Sequence, residues 1–137
     1  MTYLATVKTE KMGDDAVMHV VSEKYLVEAS TYTEAEDRIT NECAEFSNGE
    51  FDVTGLQRQN IADIICESPK EKWFITKIAF ITLDEKTLKE RRINSRFYVN
   101  ADDFDEACKM LVQFMSSSMA NYLVLSVAET AVIDYFK

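Results

Sequence analysis

Five of the fifteen lysines and arginines, Lys86, Lys89, Arg91, Arg92 and Arg96, fall within eleven residues. Side chains alternate between the two faces of an extended strand, so Arg92, Asn94, Arg96, Tyr98 and Asn100 project to one side. Arginines on a rigid strand can grip phosphate oxygens with paired N–H donors, and a neighbouring aromatic can stack a base. The same charges also suit a solvated hairpin face that blunts a sheet edge. Gln57, Arg58, Gln59 and Asn60 form a second polar patch, able to line the same groove if the two halves of the chain are related by a two-fold. Arg92, Asn94, Arg96, Tyr98 and Arg58 are therefore the candidate ligand-binding residues.

Other chemistries lack their parts. The single histidine, His19, lies between Val17 and Val21 and reads as a hydrogen-bonded or half-exposed structural residue. One histidine and three scattered cysteines (Cys43, Cys66, Cys108) supply neither a zinc set nor a disulfide framework. The three glycines are isolated, so no phosphate-binding loop is present. Asp63 and Asp134 each interrupt an apolar run, where ending a strand or pairing with a base explains them. These observations predict a protein that is not an enzyme and has no cofactor.

The positioning elements are written twice. Tyr25–Ala35 returns 72 residues later as Phe97–Ala107. In each copy an aromatic-rich strand ends at Ala29 or Ala101, and a helix opens at Thr31 or Asp103. A glutamate follows three residues on (Glu34, Glu106), the spacing of a capping box. Tyr3 to about Met12 predicts a strand, Gly13–Asp15 a turn, and Ala16–Ala29 a second strand with a bend or bulge near Ser22 and Glu23. Ala35, Ile39, Cys43 and Phe46 make an apolar helical stripe that Asn48 and Gly49 stop. Phe51 and Val53 open another strand, and Ile61–Ile65 resumes the apolar run. After Pro69, Trp73–Thr76 repeats Tyr3–Thr6, and a helix places Phe104, Ala107, Leu111 and Phe114 on one face. Tyr122–Phe136 reads as one final strand, whose Val132–Phe136 matches Ile61–Ile65. The expected fold is α+β: a tandem ββαβ repeat in one pseudo-two-fold domain, with mostly antiparallel sheet and two helices. Its halves are residues 1–67 and 73–137, joined by 68–72.

Residues 25–36, 73–86 and 126–136 resemble the domain-of-unknown-function family 4494 in three separate, correctly ordered stretches. That resemblance spans nearly the whole chain and implies a compact α+β fold in gut bacteria or their phages. It implies no catalytic residues.

Charge narrows the partners. The net charge is −9, which disfavours nucleic acid. Residues 1–68 hold 5 Lys/Arg against 14 Asp/Glu, and residues 69–137 hold 10 of each. No apolar run approaches the roughly 20 residues of a membrane span. The N-terminus shows no basic leader with an apolar region, so a cytoplasmic setting is expected. The leading expectation is a homo-oligomeric binding protein for a small anionic ligand or a host defence protein. An acidic helix (Glu34, Glu36, Asp37, Glu42, Glu45) mimicking nucleic acid is the alternative, and a single-stranded nucleic-acid binder using Arg92, Arg96 and Tyr98 is the third.

Overall fold

The computed structural model describes residues 1–46 and 50–137, so the helix stop expected at Asn48 and Gly49 lies outside the described residues. Among these residues the chain forms, in order, β1 (Thr2–Met12), β2 (Met18–Glu28), α1 (Tyr32–Phe46), β3 (Phe51–Gln59), β4 (Asp63–Ile65), β5 (Lys72–Leu83), β6 (Glu90–Ala101), α2 (Phe104–Met115), β7 (Asn121–Glu129) and β8 (Val132–Phe136). The fold is α+β, with two mostly antiparallel four-stranded sheets ordered β3-β1-β2-β8 and β4-β6-β5-β7. The chain divides into two compact units, residues 1–60 with 131–137, and residues 61–130.

In the first unit, β1 and β2 form a hairpin whose register is unbroken from Thr2–Glu28 to Met12–Met18. Its pairing with β1 runs unbroken past Ser22 and Glu23, and the irregularity expected there falls at Lys24/Tyr25, where the register of β2 shifts against β8. Tyr3, Ala5, Val7, Tyr25, Val27 and Ala29 turn one face toward Ala35, Ile39 and Cys43 of α1, forming a buried core. The helix opens as its spacing predicts: Thr31 Oγ1 accepts from Glu34 N at 3.1 Å, and the Glu34 carboxylate accepts from Ser30 N at 3.1 Å.

The second unit has its own core of Phe74, Ile78, Phe97, Val99 and Ala101 against Ala107, Leu111 and Met115 of α2. Asp103 caps α2, accepting from Glu106 N at 2.8 Å. The buried stripe of α2 differs from the expected one. Phe104 and Phe114 stay substantially exposed, and Met115 takes the third buried place. Both phenylalanines lie edge-on to core rings, Phe104 to Phe74 at 6.5 Å and Phe114 to Phe97 at 5.7 Å between centroids.

Tyr3 faces Val27 across its hairpin, while in the second hairpin Trp73 faces Asn100 and Phe74 faces Val99. Tyr3 and Phe74 each meet the first residue of a helix edge-on, Tyr3 with Tyr32 at 6.4 Å and Phe74 with Phe104 at 6.5 Å between centroids. One sequence expectation needs correction: Tyr122–Phe136 is two strands. β7 pairs with β5, whereas β8 runs parallel to β2, with Asp134 level with Tyr25. β4 likewise runs parallel to β6, with Asp63 level with Phe97. The chain's first half thus supplies the last strand of the second sheet, and the second half supplies that of the first. Asp63 Oδ1 accepts from Ile64 N, and Asp134 Oδ1 from Tyr135 N, each at 2.8 Å. The two aspartates therefore each bond the next residue's amide, Asp63 at the start of β4 and Asp134 in the middle of β8.

Both hairpin loops carry a non-glycine residue in the left-handed region, Ala16 (φ 59°) and Leu88 (φ 56°). That conformation is about 1–2 kcal/mol unfavourable for such residues. Leu88→Gly is therefore expected to raise stability by roughly 0.5–1 kcal/mol, since glycine removes the clash but adds unfolded-state entropy. Chemical denaturation of the two proteins measures it, and a less stable glycine variant would show that the loop holds no such strain.

Candidate functional site

β6 is the strand that presents the basic cluster. Its pairing with β5 places Arg96 directly opposite Lys77, Asn94 opposite Ala79, Arg92 opposite Ile81 and Tyr98 opposite Ile75. The residues that face α2 are Phe97, Val99 and Ala101, so the row Arg92, Asn94, Arg96, Tyr98 occupies the face of the sheet turned away from the helix. Lys77, Arg92, Asn94 and Arg96 are exposed, while Ala79 and Tyr98 are buried. Tyr98 is only 5% exposed, so it forms a floor beside Arg96 rather than a stacking surface. Burial pushes its phenol up, and the nearby Arg96 charge partly offsets this.

The structure therefore brings four of the five expected residues onto one strand face. Arg58 lies elsewhere, on β3 of the first unit, opposite Tyr3. Lys77 is the residue that sequence reading missed. Its signal was the hairpin register: counting back from the Asp84–Lys89 loop pairs residue 77 with residue 96.

Electrostatics make this pair unusual. Like charges directly across an antiparallel ladder, with Cβ atoms roughly 5 Å apart, destabilise the sheet. Among the described residues no carboxylate stands within ion-pair distance of Lys77, Lys86, Lys89, Arg91 or Arg92. Arg92 follows Arg96 along the same face at about 13 Å, four strand residues away. The arrangement can hold one anionic group between Lys77 and Arg96 and a second near Arg92.

Asn100, on the same face, has a structural task. It is 2% exposed. Its Nδ2 donates to the Lys70 and Lys72 carbonyls at 3.2 and 2.8 Å, and its Oδ1 accepts from Lys70 N at 2.9 Å and from the Cys66 thiol at 3.7 Å.

The other polar cluster belongs to the first unit. Glu23, nearly buried, accepts from the Tyr25 hydroxyl at 2.5 Å and pairs with Lys11. Burial would push its carboxyl up, but the hydrogen bonds from Lys11 and Tyr25 and the Lys11 charge leave it below the usual glutamate range. Burial, then Glu23, pushes the Tyr25 phenol up, and burial raises the Cys43 thiol to about 11, so that thiol is neutral and unreactive at pH 7. A folded pKa below the unfolded one stabilises above the unfolded value, and that stability is lost as pH falls through the folded value. Glu23→Gln is therefore expected to lower the melting temperature at pH 7, and the gap should close below about pH 4. A gap that persists unchanged in acid would assign the loss to packing alone.

His19 is half exposed and hydrogen-bonds Asp15 Oδ1 at 3.0 Å, which holds the Asp15 carboxyl low. The three cysteines are free, Cys43 buried and Cys66 and Cys108 partly so. No helix among the described residues is long and apolar enough to cross a membrane.

Fold and site together describe an α+β protein of two four-stranded sheets, one of which carries an exposed cationic row on its helix-free face. The family model described as Domain of unknown function (DUF4494) matches residues 1–137, and the chain belongs to that family. No curated protein matches the chain, and no solved structure does.

Proposed function

We propose that this is a non-enzymatic binding protein that captures a small anionic, nucleotide-like ligand on the exposed face of β5 and β6. The observation that carries the reading is the cross-strand pair of Lys77 and Arg96, like charges set face to face on a rigid ladder. An anion between them would turn that repulsion into two charge-assisted contacts. Arg92 would meet a second anionic group, and Asn94, between the two arginines, can donate or accept at a ligand's polar edge. Capture of a host nucleotide signal in a phage or bacterial cytoplasm suits such a site. Self-association into a homo-oligomer belongs to the same proposal.

Native mass spectrometry of protein purified from its own host tests this reading, since it shows retained ligand and subunit number together. Titration with nucleoside triphosphates and cyclic dinucleotides follows. Replacing Arg92 and Arg96 by alanine is expected to weaken binding by about two to four orders of magnitude, from roughly 1.5–3 kcal/mol per charge-assisted contact. Equal binding by wild type and double variant would remove the site.

A second reading draws on α1. Glu34, Glu36, Asp37 and Glu45 are exposed, and none of them has a basic partner among the described residues. Such a helix can imitate a phosphate row and occupy a basic cleft of a DNA-binding protein or a host defence protein. Pull-down with an α1 charge-reversed control separates this from ligand capture.

We also infer that the two units are versions of one design. In support, both sheets set the first hairpin between a later antiparallel strand and a parallel strand from the other half of the chain. Both also carry a bulge at one place, at Thr6/Val7 against β3 and at Lys77/Ile78 against β7. A crystal structure in which the two units do not superpose strand for strand would overturn it.

A further inference from the structure

The β5–β7 ladder shifts register at the cationic pair. Pairing runs evenly through Leu123–Ala79 and Val124–Ile78, so a regular ladder would set Leu125 opposite Lys77. Instead the register shifts between Lys77 and Ile78, Leu125 is the extra residue, and Ser126 stands level with Lys77. Bulges of this kind re-aim side chains and are common beside functional sites. Residues opposite each other in a ladder project to the same face, so Ser126 joins Lys77 and Arg96 on the helix-free face. All three are exposed. They form one row across β6, β5 and β7, roughly 10 Å from the first Cα to the last at about 4.8 Å per strand.

The row is made of donors. A guanidinium and an ammonium only donate, and a hydroxyl can do so. Arg96 has N–H groups enough to keep a partner within the protein and still meet a ligand. Ile75 and Ala79 flank Lys77 along this face of β5, with Ala128 and Leu123 level with them on β7, all without charge.

We propose that the row of Arg96, Lys77 and Ser126 seats a terminal phosphate, so that the ligand of this face is a nucleotide with a phosphomonoester end rather than a cyclic one. Charge argues for it. Two cations match the roughly −1.5 to −2 that a phosphomonoester carries at pH 7, whereas a phosphodiester carries a single negative charge. Geometry agrees. A terminal phosphate has a free oxygen for each of the three side chains, while a diester or a carboxylate has only enough for Lys77 and Arg96. The short Ser126 side chain holds the phosphate close to the sheet, and the longer Lys77 and Arg96 side chains can lean over it. Asn94 and Arg92 continue along β6 from Arg96 and are left for the rest of the ligand. The inference rests on the anion-capture reading of this face and adds Ser126 to it as the residue that selects the ligand.

Calorimetric titration with AMP, ATP, cyclic di-AMP and inorganic phosphate tests it, on the wild type, Ser126→Ala, Ser126→Thr and the Arg92→Ala/Arg96→Ala double variant. The wild type is expected to bind AMP and ATP at least about tenfold more tightly than cyclic di-AMP. Ser126→Ala should weaken AMP and ATP about tenfold, the loss of one hydrogen bond to a charged group, and shrink their preference over cyclic di-AMP by the same factor. Ser126→Thr keeps the hydroxyl and should bind within about threefold of the wild type. Inorganic phosphate should displace AMP, yet bind at least about tenfold more weakly; phosphate as tight as AMP would make the free anion the ligand and overturn a nucleotide. An alanine variant that binds AMP like the wild type, while the double variant loses it, would overturn the phosphate seat and leave anion capture standing. Cyclic di-AMP bound as tightly as AMP would do the same. A wild type that binds none of the four would overturn both readings.

Discussion

Asn100→Ala is expected to lower the unfolding free energy by about 3 kcal/mol, among the largest effects of any single substitution outside the apolar cores. The side chain is buried and fully engaged, donating to two carbonyls and accepting from an amide and a thiol in the segment that leads into β5. Alanine leaves the Lys70 amide and two carbonyls with no partner, at about 1–3 kcal/mol for each buried group that water cannot reach. Asn100→Asp keeps the size and the acceptor but removes both donors and buries a charge, so it should be at least as damaging. Urea unfolding of the three proteins gives the ranking. Faster exchange of the Lys70 amide in the variants would localise the loss, and an Asp variant as stable as wild type would show that the donors do not matter.

Local signals carried much of this fold. The capping boxes at Thr31/Glu34 and Asp103/Glu106 were legible because they depend on residues three apart, and their bonds form as that spacing requires. The hairpins followed from period two and loop residues. What failed depended on distant pairing. The break at Thr130–Ala131 has neither glycine nor proline, so nothing local separated β7 from β8. Their separate sheets follow from parallel partners more than a hundred residues away for β8 and from β5 for β7. The loop between β5 and β6 is one residue longer than that between β1 and β2, a difference in register that alternation alone does not reveal. Within the site, the β6 row was readable from alternation alone. Lys77 was not, since its meaning arises only from its neighbour across the strand, and Tyr98 looked available because burial leaves no mark on an alternating pattern.

The cross-strand pair supplies the most discriminating experiment, because function and stability should move in opposite directions. Lys77→Glu converts a like-charge pair with Arg96 into an attractive one on the same ladder. Opposite charges at such positions contribute roughly 0.2–1 kcal/mol and like charges oppose by a similar amount, so stability should rise by about 0.5–1 kcal/mol. For a domain of this size such a gain raises the melting temperature by a few degrees, roughly 2–5 °C. Anion binding should fall by at least one to two orders of magnitude, since a contact of about 1.5–3 kcal/mol is replaced by repulsion. A purely solvated hairpin face predicts the gain in stability without any loss of binding. A variant that is less stable than wild type would mean that Lys77 and Arg96 do not oppose each other as the β5–β6 register places them. Melting temperature and nucleotide titration on this one variant therefore separate a binding site that gives up stability for an anion from a surface that merely carries charge.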